Sequence, residues 1–221
     1  MLRGVGGLVR PRPGDTEPIA AMLAAAMARD PLHLYFFPRG RTYRGAARTL
    51  FKLVAGYGIR QGNLLATSRA FEGVALWQLP RDPPWVGAIG RYAGAPAALV
   101  EGVRLAAQAG AAGVLRMIRA SAFSLRLRRR HAPFPHAYLA LLAVEPRQQG
   151  LGFAGALLRP VLEALSLRGL PCYLETHRLQ NVSLYRHFGF QVLEEVGIPG
   201  TAVRQWCLLK KSDGLPAGSS T

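Results

Sequence analysis

The sequence predicts an α/β fold, with a mixed, mostly antiparallel sheet flanked by helices and a helical insertion around residues 95–130. Three observations carry that expectation. Tyr138-Leu-Ala-Leu-Leu-Ala-Val144 is an unbroken apolar run, as a strand buried on both faces needs. It leads through a glycine-rich turn into Leu151, Ala154, Leu157, Leu158, Val161, Leu162 and Leu165 at helical spacing, and then into a second apolar strand at 172–176. Residues 95–130 are rich in Ala, Leu and Arg and read as one long helix or two shorter ones, with Gly110 and Gly113 supplying the break.

The remaining elements follow from local signals. Leu8 to Arg10 suits a short strand, ended by Pro11 and Pro13. Asp15 is placed to cap a helix running to about Arg29, with Ile19, Met22, Leu23 and Met27 on one stripe, and Asp30-Pro31 stops it. An aromatic cluster, His33-Leu-Tyr35-Phe36-Phe37-Pro38, precedes a second helix from about Arg41 to Arg60. Gly62-Asn63 turns the chain into a hairpin of 64–68 with 73–79, and Pro80 to Pro84 breaks the pattern. The run Arg126, Arg128, Arg129, Arg130 reads as a solvated helix end, where cations suit the negative end of the helix dipole. Pro160 should kink the helix that contains it, which Gly169 and Pro171 terminate. A short helix from Asn181 to Phe188 stops at Gly189, and 190–196 with 203–209 form a closing antiparallel pair. One domain over 1–211 and a disordered Gly/Ser/Pro tail over 212–221 are expected.

Composition bounds the function. A chain of 221 residues can bury a full core, and 50% hydrophobic with 18% charged residues is globular usage. The net charge of +16 is nearly all arginine, since Lys52, Lys210 and Lys211 are the lysines. A field of that sign attracts nucleotides, nucleic acid or acidic lipid; an Ala/Gly/Pro/Arg-rich compositional habit gives the same number. Two cysteines, Cys172 and Cys207, are too few for a disulfide framework, and a reducing, cytoplasmic setting is the default. No run of residues reads as a membrane span. The histidines His33, His131, His136, His177 and His187 lack the pairing on one helix face that a zinc site shows, so no metal is expected.

The turn Gln149-Gly150-Leu151-Gly152-Phe153-Ala154-Gly155 has two ligand readings besides a tight structural turn. Small residues at a helix start let backbone N–H groups approach an anion, which favours phosphate. Gly150-x-Gly152-x-x-Gly155 matches a dinucleotide fingerprint, and Glu175 falls 20 residues further on. Against that reading, the first glycine stands well after the strand, some 145 residues precede the turn, and the chain beyond Glu175 looks antiparallel.

Gln149-x-x-Gly152-x-Ala154 instead resembles the pyrophosphate loop of the GNAT (GCN5-related) N-acetyltransferase superfamily, and the run from Tyr138 to Arg159, the strand after Pro171, the segment from Asn181 to Phe190 and Trp206-Cys-Leu-Leu-Lys210 are similar to it too. Within the superfamily these segments look most like the puromycin N-acetyltransferase-type branch. The resemblance implies the acyl-CoA N-acyltransferase fold and acetyl-CoA as co-substrate. It implies a cofactor site of Leu142, Ala143, Val144, Gln149, Gly150, Gly152, Phe153, Ala154 and Asn181, with Tyr185 as proton donor to the departing thiolate. Asn181 and Tyr185 share one helix face by their spacing.

A protonated amine must lose a proton before it attacks, and Glu175 at its strand end is the first candidate base, with a structural carboxylate as the other reading. Asp30, Tyr35, Phe36, Trp77 and His136 are candidate acceptor contacts, although aromatic core is the commoner use of such residues; His136, at the entry to the buried strand, is also the weaker candidate base, and water a third. The expected activity is acetyl transfer to a primary amine of a small molecule. The alternatives are a CoA-binding protein without catalysis and a nucleotide- or nucleic-acid-binding protein using the basic surface, with nucleic acid the disfavoured partner. A homodimer is allowed for.

Overall fold

The computed structural model describes residues 5–37, 41–82 and 96–212. After a single turn at 13–15 come α1 (Thr16–Ala26), α2 (Pro31–Phe36), α3 (Arg41–Gln61) and the strands β1 (Leu64–Ala66) and β2 (Gly73–Gln78). The long helix α4 (Pro96–His131) precedes β3 (Ala137–Val144), α5 (Phe153–Ser166), β4 (Cys172–Thr176), α6 (Leu179–His187), β5 (Gln191–Gly197) and β6 (Arg204–Lys210). The six strands form one sheet in the order β1-β2-β3-β4-β6-β5. Every neighbouring pair is antiparallel except β3–β4.

Period-two alternation on β1 and β2 assigns the two faces. Leu64, Ala66, Val74 and Leu76 pack with Ile19, Leu23, Phe51 and Val54 of α1 and α3. Leu65, Ala75 and Trp77 face the other way, onto Leu157, Leu158, Val161, Leu162 and Leu165 of α5. Each fully buried leucine contributes roughly 1.5–3 kcal/mol of hydrophobic stabilisation. Helix α5 runs through Pro160 to Ser166.

Several local expectations change. Asp30-Pro31 does end one helix, but it also begins the next. Pro31 takes the first helical position of α2, and Asp30 Oδ1 accepts from the backbone N–H groups of Leu32 at 3.0 Å and His33 at 3.2 Å. The fixed φ of proline and the missing N–H fit that position. Asp15 does not cap α1 with its side chain; its carboxylate accepts from Arg12 N–H at 2.6 Å and Arg69 Nη1 at 3.1 Å. The strand expected at 8–10 is a single bridge, Val9 with Ala66.

In α4 the break lies at Gly110, whose φ of 66° is left-handed. The arginine run is only partly a solvated end. Arg129 and Arg130 are exposed, while Arg128 is half-buried and donates to Gln78 Oε1 at 3.0 Å. By length and apolar content α4 is, among the described residues, one helix that could cross a membrane, although its most apolar stretch is largely unburied here and charged residues such as Arg104, Arg116 and Arg119 recur along the helix. Ser212, placed at the head of the expected tail, is buried; the rest of that tail and Pro84 lie outside the described residues.

Candidate functional site

Strands β3 and β4 run parallel and pair only over Ala137–Cys172, Tyr138–Tyr173 and Leu139–Leu174. Beyond Leu139 they diverge. Strand β3 therefore is not buried on both faces as its apolar run suggested: Ala140, Leu141, Leu142 and Val144 are half-buried because no β4 neighbour covers them. The gap opens into a cleft of ≈ 960 Å³.

One end of the cleft is the glycine turn. The chain leaves β3 through Glu145, whose side chain accepts from Arg147 N–H at 2.7 Å, and passes Gln148 to Gly150 and Gly152, with φ of 86° and 84°. Those left-handed values are why glycine stands at both positions. Gly152 is the N-cap of α5 and leaves open space where a Cβ would lie. The first-turn N–H groups of α5 lack helical acceptors and carry the positive end of its dipole, so they form a site for an anion. Gln149 Nε2 folds back to donate to Val144 O at 3.2 Å, tying the turn to the strand end.

Leu142, Ala143, Val144, Gln149, Gly150, Gly152, Phe153, Ala154 and Asn181 all line this one cleft, together with Tyr185 and Glu175. Ala143 is itself buried against β2, so it meets the cleft only marginally. Asn181 Nδ2 donates to Thr176 Oγ1 at 3.2 Å, which fixes α6 against the end of β4. Tyr185, one turn further along α6, is buried and packs edge-on against Phe190. Burial, with a smaller contribution from Cys172, pushes its phenol well above the usual range.

The carboxyl of Glu175 lies at the point of divergence. Its Oε2 accepts from the Tyr138 hydroxyl at 2.6 Å, and its Oε1 is buried without a hydrogen-bond partner among the described residues. Burial pushes the carboxyl up to about 7, against the Tyr138 hydrogen bond and the charge of Arg128, which pull it down. Arg128 stacks on the Tyr138 ring at 4.3 Å. The insertion helix thus reaches the site through an arginine.

The five expected acceptor residues divide. Asp30 and Phe36 line the cleft. Trp77 does not: it is fully buried between Leu65, Leu139 and α5, which makes it core. Tyr35 lies outside the cleft lining and packs under Arg116, 5.5 Å from its ring. His136 also lies outside it, at the paired end of β3, where Nδ1 meets Phe134 O at 2.7 Å and burial pulls its pKa down. Both belong to surface or edge packing rather than to the pocket.

The cleft also brings in residues that pattern reading passed over. His33 lines it, with Nδ1 3.0 Å from Asp30 Oδ1. Burial pushes the Asp30 carboxyl up, but the hydrogen bond and charge of His33 and the charge of His177 outweigh it and hold it at about 2. The i, i+3 spacing of Asp30 and His33 behind a helix-starting proline was the available signal. His177 sits beside them, 3.2 Å from Gln205 Oε1, with its pKa pulled down by burial. Arg128, Arg159 and Arg178 complete the charged lining.

The profile of the Acetyltransferase (GNAT) family matches residues 112–190. An uncharacterized N-acetyltransferase of Schizosaccharomyces pombe is 40% identical over 53 residues, which cover 24% of this chain and 22% of that protein. The match thus spans less than a quarter of the yeast protein's length. Among solved structures, the histone acetyltransferase HPA2 and related acetyltransferase of Corynebacterium glutamicum aligns with a TM-score of 0.60 at 21% identity, covering 96% of this chain and 98% of that one. The PaiA N-acetyltransferase of Thermoplasma acidophilum, in complex with coenzyme A, aligns with a TM-score of 0.53 at 13% identity over 92% and 97% of the two chains.

Proposed function

We propose that the chain, whose residues 112–190 match the Acetyltransferase (GNAT) family, is an acetyltransferase of that superfamily and transfers the acetyl group of acetyl-CoA directly to a primary amine of a small molecule. The observation that carries the proposal is the divergence of β3 from β4 after Leu139, opening straight into the glycine turn at the head of α5. A slot bounded by unpaired strand backbone on one side and free helix N–H groups at its end suits a long amide-bearing chain that finishes in a pyrophosphate.

In this reading acetyl-CoA supplies an activated thioester, and the chain supplies position and proton traffic. Gln149, Gly150, Gly152, Phe153 and Ala154 hold the pyrophosphate, Leu142 and Val144 flank the pantetheine arm, and Asn181 anchors it. Glu175 takes the proton of the incoming ammonium. Its pKa of about 7 keeps a useful fraction ionised at neutral pH while leaving it a stronger base than an exposed carboxylate. Tyr185 keeps its proton because it is buried; it passes that proton to the departing sulfur and takes back the second proton of the attacking nitrogen, so no buried phenolate remains. Asp30 and Phe36 face the acceptor. No metal takes part in this scheme. The setting proposed is cytoplasmic, in keeping with the free, buried Cys172 and Cys207.

The test is release of CoA thiol from acetyl-CoA across a panel of primary amines. Amine-dependent release that falls at least about tenfold in Tyr185→Phe supports the proposal. Stabilisation by acetyl-CoA with no release on any amine would favour a CoA-binding protein without catalysis. Salt-sensitive affinity for random DNA, with no response to acetyl-CoA, would favour the nucleic-acid reading.

A further inference from the structure

Two hydrogen-bond acceptors stand open in the cleft near one another. Asp30 Oδ1 takes the bonds made to that carboxylate, from the N–H groups of Leu32 and His33 and from the His33 ring, while Oδ2 has no partner among the described residues. A carboxylate only accepts, so His33 Nδ1 is the donor there; a neutral His33 is enough for that bond and leaves the Asp30 charge in place. The second acceptor follows from Gln205, which is fully buried. Its Oε1 accepts from Ser124 Oγ at 3.0 Å and can only accept from His177 Nε2 at 3.2 Å. Nε2 therefore carries the hydrogen, and Nδ1 of the neutral ring is an acceptor without a partner among the described residues. Neither Oδ2 nor Nδ1 is sealed in the core, and both residues line the cleft, close enough for the charge of each to act on the other. Of the lining arginines, Arg128 stacks on Tyr138 and Arg159 lies over Phe188, and among the described residues no arginine pairs with Asp30.

Resting on the acetyl-transfer reading, we propose that Asp30 Oδ2 and His177 Nδ1 form a subsite for a second cationic group of the acceptor. The amine acetylated is then a dication: one ammonium reaches Glu175, and an ammonium or guanidinium at the far end of an apolar spacer is held at Asp30. One anionic and one neutral acceptor facing the same space select a cation that donates hydrogen bonds, and such charge-assisted bonds are stronger than neutral ones. Glu175 and His177 are two apart at the end of β4, so their side chains leave the same face of the strand roughly 7 Å apart. That offset separates the nitrogen that reacts from the nitrogen that is held. Met27, Phe36, Phe51 and Met117 line the same cleft and suit the methylenes in between. The net charge of +16 opposes the approach of a dication, but that field is screened beyond about 8 Å at about 0.15 M salt, whereas the contact at Asp30 is local.

The experiment pairs butane-1,4-, hexane-1,6- and octane-1,8-diamine with pentylamine, heptylamine and nonylamine, each pair differing by a terminal ammonium exchanged for a methyl. All six are assayed for kcat and KM at saturating acetyl-CoA and physiological salt, and for their shift of the melting temperature of the CoA-bound protein. The expected result is that at least one diamine exceeds its monoamine in kcat/KM by about tenfold or more, chiefly through KM, well beyond the factor of about two that two equivalent ends supply. Asp30→Asn keeps an amide oxygen to cap α2 and removes the charge, so the ratio of diamine to monoamine should collapse toward that factor. His177→Phe removes the neutral acceptor and should lower the same ratio, which keeps the test open if the first variant does not fold. A series in which no diamine outperforms its monoamine overturns the proposal, and so does a preference that survives Asp30→Asn. If acetyl-CoA stabilises the protein but no amine is turned over, diamines that shift the melting no more than monoamines overturn it as well, while the CoA site stands. A protein that acetyl-CoA does not stabilise fails at the earlier step, and both readings fall together.

Discussion

The hydroxyl of Tyr138 donates to Glu175 Oε2 at 2.6 Å across the last paired step of the parallel strands, just before they separate. This bond holds the carboxyl at the throat of the cleft. It also opposes the burial that would otherwise raise the Glu175 pKa further. Arg128, stacked on the same ring and tied to Gln78, adds a second opposing influence from the insertion helix. The acidity and the position of the Glu175 carboxyl therefore share one support.

If Glu175 is the base, the turnover number should rise with pH through about 7 as the carboxyl ionises. Glu175→Gln should lower it by about 10²–10⁴-fold at pH 8 while acetyl-CoA binding persists. The sign of the stability effect provides a control. A carboxyl whose folded pKa is raised penalises the fold as pH climbs from 4.5 through about 7. The glutamine variant should therefore melt no lower than wild type at pH 8. Steady-state pH profiles and thermal melts check both.

Tyr138→Phe removes the bond that lowers the Glu175 pKa, so the acid limb of the profile should move to higher pH. Activity on the alkaline plateau should change far less than activity at pH 6. A uniform loss across the whole range would instead assign Tyr138 a purely structural role.

Trp77 and Asp30 are separated by thermodynamics rather than by kinetics. Trp77→Ala should cost about 3–5 kcal/mol of stability, as large-to-small changes in a packed core do, and Trp77→Phe should leave the amine KM unaltered. Asp30→Ala should cost about 1–2 kcal/mol at pH 7 through loss of the α2 cap. The Asp30 contribution is present above the unfolded carboxyl pKa of 3.8 and is lost as pH falls through about 2, so the gap should close across that window. Denaturant unfolding at several pH values measures it.

Much of this was legible in the sequence because it is local. The glycine spacing, the apolar run of β3, the helical stripe of α5 and the Asn181/Tyr185 pair are each set within a few residues, and the cleft gathers them as their order along a strand–turn–helix unit dictates. What pattern reading missed depends on distant packing. Trp77 looks like a pocket aromatic until α5 covers the face of β2 that it shares with Ala75 and places it in the core. Arg128 looks like one more solvated arginine until α4 lies across β3 and brings its guanidinium over Tyr138. Asp30-Pro31 signals a helix end and a helix start equally well, and only the side-chain geometry decides that Asp30 caps α2. The half-open face of β3 is likewise invisible, since its composition is that of a strand with two neighbours along its whole length.

The most direct test of the account is a thermal-shift titration of acetyl-CoA, CoA and NADH against wild type and Gly152→Glu. Position 152 has a φ of 84° and open space at its Cβ, so the variant should fold with a loss of about 1–2 kcal/mol while bringing a carboxylate to the head of α5. Wild type should be stabilised by both CoA ligands and not by NADH, and the CoA response should be lost in the variant. Stabilisation by NADH alone, or an acetyl-CoA response that survives Gly152→Glu unchanged, would contradict that expectation.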